Sequence, residues 1–249
     1  MVPHIIHFIW LETPKSRPFS LVNMIAIEAA EQVQSPDRII VHCNREPVDN
    51  TYWDSIRPLV QIKSVDVPTS YGGTPIDHVQ YQADVLRLEI LQAMGGIYLD
   101  TDLILLKPIT DLLDTELTLV EESPNSIANA VIIAKPRSIF LERWLDHMPD
   151  ALRSPIWAYH AVILPGELLA SDPMGTKVLG LEAFFPLDLK KNYLFDSAQE
   201  VIEETERRMA SAYGIHIYET YWEPILKNVD RTFMDTVDCI FTRRFRKYL

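Results

Sequence analysis

Apolar and polar positions along the first hundred residues predict a succession of strands and helices. Residues 4–10, His-Ile-Ile-His-Phe-Ile-Trp, form a short, mostly apolar run of the buried-strand type. Pro14 and Pro18 punctuate the next loop. Leu21, Met24, Ile25 and Ala29 recur at helical spacing over 20–33, with Ser20 placed to cap the helix. Residues 38–43 are β-branched and apolar, a second strand. Residues 52–56 are a short helix that ends before Pro58, and 60–67 alternate in the manner of a strand. Residues 69–74 are polar and contain glycine, which predicts a loop. A long amphipathic helix is expected over 77–94, with Val85, Leu88 and Leu91 on one face and Ala83, Leu86 and Ile90 widening it. Gly95-Gly96 stops it, because glycine accepts backbone conformations that end a helix. A strand at 97–99, the triplet Asp100-Thr101-Asp102 and an apolar run at 103–106 complete this half. Strands alternating with helices predict an α/β fold with a mostly parallel sheet.

The second half is less regular. Residues 117–120, 130–134 and 215–218 read as strands, and 139–148 and 197–211 as helices. Residues 151–193 hold so many prolines and aromatics that no periodicity assigns them. No internal repeat or low-complexity linker divides the 249 residues, so one domain over 1–249 is expected.

Composition narrows the function classes. A net charge of −12 argues against nucleic acid as a partner, which calls for clustered positive charge. The last seven residues run the other way, with Arg243, Arg244, Arg246 and Lys247 interleaved with Phe245 and Tyr248. They suit a solvated basic tail or a weak peripheral contact with anionic lipid headgroups. Cys43 and Cys239 are too few and too distant for a disulfide framework, which fits a reducing compartment. No run approaches the roughly 18 apolar residues of a membrane span, and no secretory signal stands at the N-terminus. The expectation is a cytoplasmic protein, with a peripheral position at the inner face of a membrane as the variant of that expectation.

The chemistry concentrates in DVLRLEILQAMGGIYLDTD, residues 84–102. At a strand end, Asp100 and Asp102 would point to one side. Two carboxylates so close repel unless a cation lies between them. Hard oxygen donors favour Mn²⁺ or Mg²⁺. A bare Asp-x-Asp is common in solvated turns; what sets this one apart is the apolar strand, the Gly-Gly stop and the helix bearing Asp84 and Arg87 one turn apart. Taken alone, Asp84 and Arg87 read equally as an intrahelical ion pair, and Trp10 and Tyr98 as core aromatics. His4 and His7, three apart on a strand, fall on opposite faces, and His42 lies in a core strand. His78, His147 and His160 have no spacing partner.

This segment, together with the opening Val-Pro-His-Ile-Ile-His-Phe-Ile-Trp, resembles the DXD-containing sugar-binding region of glycosyltransferase family 32. That family includes relatives of the yeast initiating α-mannosyltransferase, capsular polysaccharide transferases and the clostridial glucosylating toxins. The resemblance covers about a third of the chain. It implies a GT-A fold, Rossmann-like, with a nucleotide-binding half over 1–110 and an acceptor-side half with C-terminal helices over 111–249. It implies a retaining hexose transfer from a nucleoside-diphosphate sugar, UDP- ahead of GDP-, to an acceptor hydroxyl on a glycan, glycolipid, small molecule or protein. Trp10 would stack on the base and Tyr98 would line the donor site. Asp84 and Arg87 would face the sugar and diphosphate, with Asn129 near the acceptor side. Asp100 would contact sugar hydroxyls and the metal, and Asp102 would ligate it directly. In the segment 214–222, His216 would complete the metal shell and Trp222 would lie near the diphosphate; Tyr221 stands where the family has a small residue. Two other classes remain open from sequence: a non-catalytic sugar-nucleotide-binding protein, and a sugar nucleotidyltransferase, whose Gly-rich phosphate loop this chain lacks.

Overall fold

In the computed structural model, residues 1–14, 16–123 and 126–249 are described. The first strand, β1 (Ile5–Trp10), leads through a loop to α1 (Leu21–Ala29), whose start is a capping box between Ser20 and Asn23. The helix continues as a π-turn over Ala30–Gln34. Next come β2 (Arg38–Cys43), α2 (Thr51–Ile56), capped by the Asn50 side chain, and β3 (Gln61–Ser64). The segment read as a loop holds a two-residue hairpin, β4 (Ser70–Tyr71) and β5 (Thr74–Pro75). Helix α3 (Val79–Met94) runs to Gly95, and β6 (Gly96–Leu99) and β7 (Leu103–Leu105) succeed it.

Both glycines of the stop are required by geometry. Gly95 has φ 62° and ψ −171°, a region open essentially to glycine alone, and a Cβ there would lie 2.5 Å from Pro136 Cδ. Gly96 has φ 113°, and its Cβ would meet the Ile5 carbonyl oxygen at 2.7 Å. The pair turns the chain from α3 into the sheet where no side chain could fit.

The second half supplies the hairpin β8 (Leu117–Ser123) and β9 (Ser126–Ala134), then α4 (Ile139–Ala151) and α5 (Leu164–Ser171). After them come β10 (Lys177–Leu179), α6 (Gln199–Met209), β11 (Gly214–His216), α7 (Glu219–Leu226), α8 (Arg231–Thr236) and α9 (Ile240–Phe245). The segment without periodicity thus folds into π, α and 3₁₀ turns around one short strand.

Seven strands form the central sheet in the order β10-β8-β9-β6-β1-β2-β3. Four of its six pairings are parallel (β1 with β2 and β6, β2 with β3, β10 with β8), and β9 runs antiparallel to both its neighbours. Strand alternation feeds two cores. Ile97 and Leu99 join the side covered by α1, α2 and the C-terminal helices, whereas Tyr98 joins the side covered by α3, α4 and α5. Among the described residues, no helix is long and apolar enough to cross a membrane.

The basic C-terminus is packed onto the fold, and two of its four cations have carboxylate partners. Phe245 and Tyr248 are buried. Arg243 makes a two-pronged pair with Asp238 at 2.7 and 2.8 Å, Arg244 pairs with Glu206, and Arg246 donates to the Met234 carbonyl at 2.6 Å. Both cysteines are buried free thiols.

Candidate active site

The Asp-Thr-Asp triplet is a turn and not a strand end. Strand β6 stops at Leu99. The Asp100 amide still donates to the Ala130 carbonyl at 2.8 Å, and the chain then folds back, with the Leu103 amide on the Asp100 carbonyl at 3.0 Å. Short polar residues favour such a turn because they hydrogen-bond their own backbone. The two carboxylates therefore owe their convergence to this turn and not to strand alternation.

Beyond the turn, β7 brings in the third group. It pairs antiparallel with β11, in a register that sets His216 opposite Leu103 and so next to Asp102. The Ile217 amide adds a bond to the Asp102 carbonyl at 2.9 Å. His216 Nε2 then lies 3.0 Å from Asp102 Oδ1 and 3.8 Å from Asp100 Oδ2. One ligand atom from each of Asp100, Asp102 and His216 falls within 4.8 Å of the others. Asp102 Oδ2 accepts from the Glu219 amide at the start of α7, at 2.7 Å.

Behind this cluster stands a buried ionic network. Arg87, 5 % exposed, places Nη2 3.0 Å from Asp84 Oδ1 and Nη1 3.1 Å from Asp100 Oδ1, and donates to the Asn129 and Ala83 carbonyls. Its guanidinium lies 4.5 Å from the centre of the Tyr98 ring, and the Tyr98 hydroxyl donates to Asp100 Oδ1 at 2.6 Å. The Asn129 side chain donates to Asp84 Oδ1 at 2.7 Å, and His160 Nε2 lies 3.0 Å from Asp84 Oδ2. Asp84, Arg87, Tyr98, Asp100 and Asn129, separated by up to 45 residues, are thus one connected unit.

The electrostatics arise from this geometry. Burial raises the Asp100 pKa, opposed by Arg87 and His216. Burial acts in the same sense on Asp102, but His216 and the Glu219 amide outweigh it, so Asp102 titrates below the usual carboxylate value. For His216, burial lowers the pKa and the carboxylates of Asp102 and Asp100 more than reverse it. Two carboxylates and an imidazole converging on one point suit Mn²⁺ or Mg²⁺.

Asp100 and Asp102 line a cleft of about 570 Å³ together with Arg17, Arg87, Tyr98, His216 and Glu219. Trp10 lies beside it, in a cavity of about 330 Å³ that shares Arg17, Val79, Gln80, Thr101 and Glu219 with the cleft. The Trp10 ring packs edge-on against Phe19. Trp222 does not line the large cleft; it faces a smaller cavity with Phe195, His216 and Tyr218, while Tyr221 lines the cleft itself.

Residues 32–119 match the family model described as "glycosyltransferase sugar-binding region containing DXD motif". Over these residues the chain is similar to that family. Curated relatives extend the likeness beyond it. Glucan organizing enzyme 1 of Cryptococcus neoformans var. grubii is 34 % identical over 245 residues, covering 90 % of this chain and 63 % of that protein. Lactosylceramide 4-alpha-galactosyltransferase of Rattus norvegicus is 24 % identical, covering 84 % of this chain and 66 % of that protein. The chain therefore spans a little under two thirds of these relatives' length. Among solved structures, the galactosyltransferase LgtC, in complex with donor and acceptor sugar analogs, superposes with a TM-score of 0.51 at 13 % identity, covering 93 % of this chain and 99 % of that one. The PaToxG glycosyltransferase gives 0.51 at 13 %, covering 99 % and 87 %. The fold is GT-A.

Several residues of the site leave no trace in the sequence pattern. His160 has no spacing partner because its partner, Asp84, is 76 residues away and the segment around it shows no periodicity. Asn23, on α1, bridges the Thr101 carbonyl and Glu219 Oε2, each at 3.1 Å. Its packing against the motif turn is a tertiary fact with no local pattern. Glu219 lies inside the segment that contains His216, and its nearness to that residue is the one available signal.

Proposed function

We propose that this chain is a metal-dependent glycosyltransferase that moves a hexose from a nucleoside-diphosphate sugar, UDP- ahead of GDP-, to an acceptor hydroxyl with retention of configuration. The observation that carries this reading is the convergence of Asp100, Asp102 and His216 on the wall of a cleft joined to the Trp10 cavity. Asp102 and His216, with Asp100, would hold Mn²⁺ or Mg²⁺, which when bound neutralises charge on the departing diphosphate. Trp10 offers a ring to the base. Arg87 fixes Asp100 and Tyr98 in place. Asp84 positions its partners: both of its oxygens are engaged, Oδ1 by Arg87 and Asn129 and Oδ2 by His160. A carboxylate so occupied is a poor nucleophile, which favours front-side displacement. In that step the acceptor oxygen bonds to the anomeric carbon as the carbon–phosphate-oxygen bond breaks, and the acceptor proton passes to the leaving phosphate.

The names of the relatives, a glucan organizing enzyme and a lactosylceramide galactosyltransferase, support a glycan or glycolipid acceptor. Incubation with Mn²⁺, a panel of UDP- and GDP-sugars, and lactosylceramide or glucan oligosaccharides tests the reading. The expected result is nucleotide release with a new glycosidic product, abolished by chelator. Binding without turnover would make the chain a sugar-nucleotide-binding protein. Release of pyrophosphate from nucleoside triphosphate and sugar phosphate would make it a nucleotidyltransferase.

A further inference from the structure

We infer that Arg17 is the protein's own cationic contact for the diphosphate of the donor, set between the Trp10 cavity and the acidic wall that carries Asp100 and Asp102; this rests on the nucleotide-sugar reading above. Among the described residues, the charged side chains lining the cleft are Arg17 and Arg87 against Asp100, Asp102 and Glu219. With His216 neutral their formal sum is two positive and three negative charges, or −1, and with His216 protonated it is zero, so the cleft holds no excess of positive charge before any ligand enters. A diphosphate brought into such a site needs cations that are not already committed. Arg87 is committed: it is buried, it faces two carboxylates, and it donates to two carbonyls as well.

Arg17 is less committed: among the described residues it makes no salt bridge within 4 Å, although its charge acts on the nearby Glu219 carboxylate. It is half-buried, on the loop between β1 and α1. Its two hydrogen bonds go to uncharged acceptors, Nη1 to the Glu219 carbonyl at 2.8 Å and Nη2 to Thr220 Oγ1 at 3.1 Å. A guanidinium has five N–H donors in a planar fork, so three remain for phosphate oxygens. The tether holds the side chain in place before a ligand arrives, which reduces the entropy lost on binding.

Its position is the stronger argument. Arg17 lines the large cleft with Asp100 and Asp102, and it also lines both cavities that contain Trp10, of about 330 and 260 Å³. With a base at Trp10 and a metal at Asp102, the diphosphate lies between them, and among the described residues Arg17 is the cationic side chain common to both. The residue it is tied to, Glu219, holds Asp102 Oδ2 through its amide. The guanidinium and the metal-ligating turn are therefore parts of one hydrogen-bonded assembly.

Calorimetric titration of wild type, Arg17→Ala and Arg17→Lys decides the matter, with UDP, GDP and uridine in the presence of Mn²⁺, and with Mn²⁺ alone. Arg17→Ala is expected to weaken UDP binding by about 10- to 100-fold, as loss of charge-assisted hydrogen bonds implies. Uridine and Mn²⁺ affinities should not change, and Arg17→Lys should recover part of the UDP loss. Equal UDP affinity in wild type and Arg17→Ala would overturn the assignment. So would a parallel loss of uridine or Mn²⁺ binding, which would make Arg17 a structural tether only. If wild type binds neither UDP nor GDP with Mn²⁺, the nucleotide-sugar reading itself falls, and this assignment with it.

Discussion

Replacing Arg87 by methionine removes a cation from a buried network while roughly preserving its volume. The guanidinium lies 3.0 Å from Asp84 and 3.1 Å from Asp100, and Asp84 is 7 % exposed. Breaking a buried pair by removing one partner costs about 3–5 kcal/mol, because a charge is left uncompensated. In a chain of this size that corresponds to a fall in Tm of roughly 6–20 °C. The pH dependence separates this cause from simple loss of packing. Burial already raises the Asp100 pKa and Arg87 opposes it. Without Arg87, the native-state pKa climbs further above the unfolded value of about 4. Between those two values the native state holds a proton that the unfolded state has lost, so the stability of the variant falls as pH rises through that window. The slope is about 1.4 kcal/mol per pH unit for one proton, so the deficit at pH 5 should be smaller than at pH 7 by up to ~2.7 kcal/mol. Denaturation of wild type and variant at pH 5, 6 and 7, in chelator to keep the site metal-free, measures it. Adding Asp100→Asn to the variant should restore part of the loss and flatten the slope. A deficit below about 1 kcal/mol that does not vary with pH would refute the view of Arg87 as the counter-ion of buried carboxylates.

Metal binding should release a proton, because the His216 pKa is raised by Asp102 and Asp100 and the imidazole must be neutral to ligate. Titration of Mn²⁺ in buffers of different ionisation enthalpy detects it, affinity should fall as pH falls, and His216→Gln should remove the linked proton. Asp102→Asn should abolish metal-dependent turnover with an unchanged circular dichroism spectrum; full activity there would exclude Asp102 as a ligand. Gly95→Ala should destabilise the fold by about 2 kcal/mol or more, through strain at positive φ and the clash with Pro136, as read from its thermal midpoint. The buried pair His7–His42, 3.0 Å apart, should give the protein an acid-sensitive core. Burial lowers their pKa values to about 4 and about 3, below the unfolded value, so their neutral forms are compatible with full stability above about pH 6.5 and stability is lost as pH falls toward 4. The stability slope near pH 5 should approach two protons in wild type and one in His42→Asn.

Legibility in the sequence tracks how local each feature is. Strands β1, β2 and β6 and helix α3 are readable because an apolar period and a flanking breaker lie within about twenty residues of each other. The Gly-Gly stop is readable for its conformation, but not for the contacts with Pro136 and Ile5 that make any side chain impossible there. Asp100 and Asp102 are readable as a pair, but through strand alternation, which the turn replaces as the cause. His216 stands out through family resemblance, and the structure brings it to Asp102 through the β7–β11 register. His160, Asn23 and Arg17 are not readable at all. Each acts through a partner at least 76 residues away, and no spacing rule reaches that far.

Local and distant contacts also divide the two acids of the site. The motif turn comes directly after β6, and the side-chain partners of Asp100 Oδ1, Arg87 and Tyr98, lie within thirteen residues of it. Asp102 is different. Its Oδ1 meets His216, its Oδ2 accepts from the Glu219 amide, and its carbonyl accepts from Ile217. All three partners lie more than a hundred residues later, around β11 and the start of α7. Asn23 and Arg17 reach across from α1 and the loop before it to the same Glu219. Asp102, the proposed metal ligand, is thus held by a clamp whose halves come from opposite ends of the sequence. Two like carboxylates in a turn would otherwise move apart to reduce their repulsion. The clamp opposes that movement before any cation arrives, so the ligand geometry is set by backbone pairing that forms only when both halves have folded together.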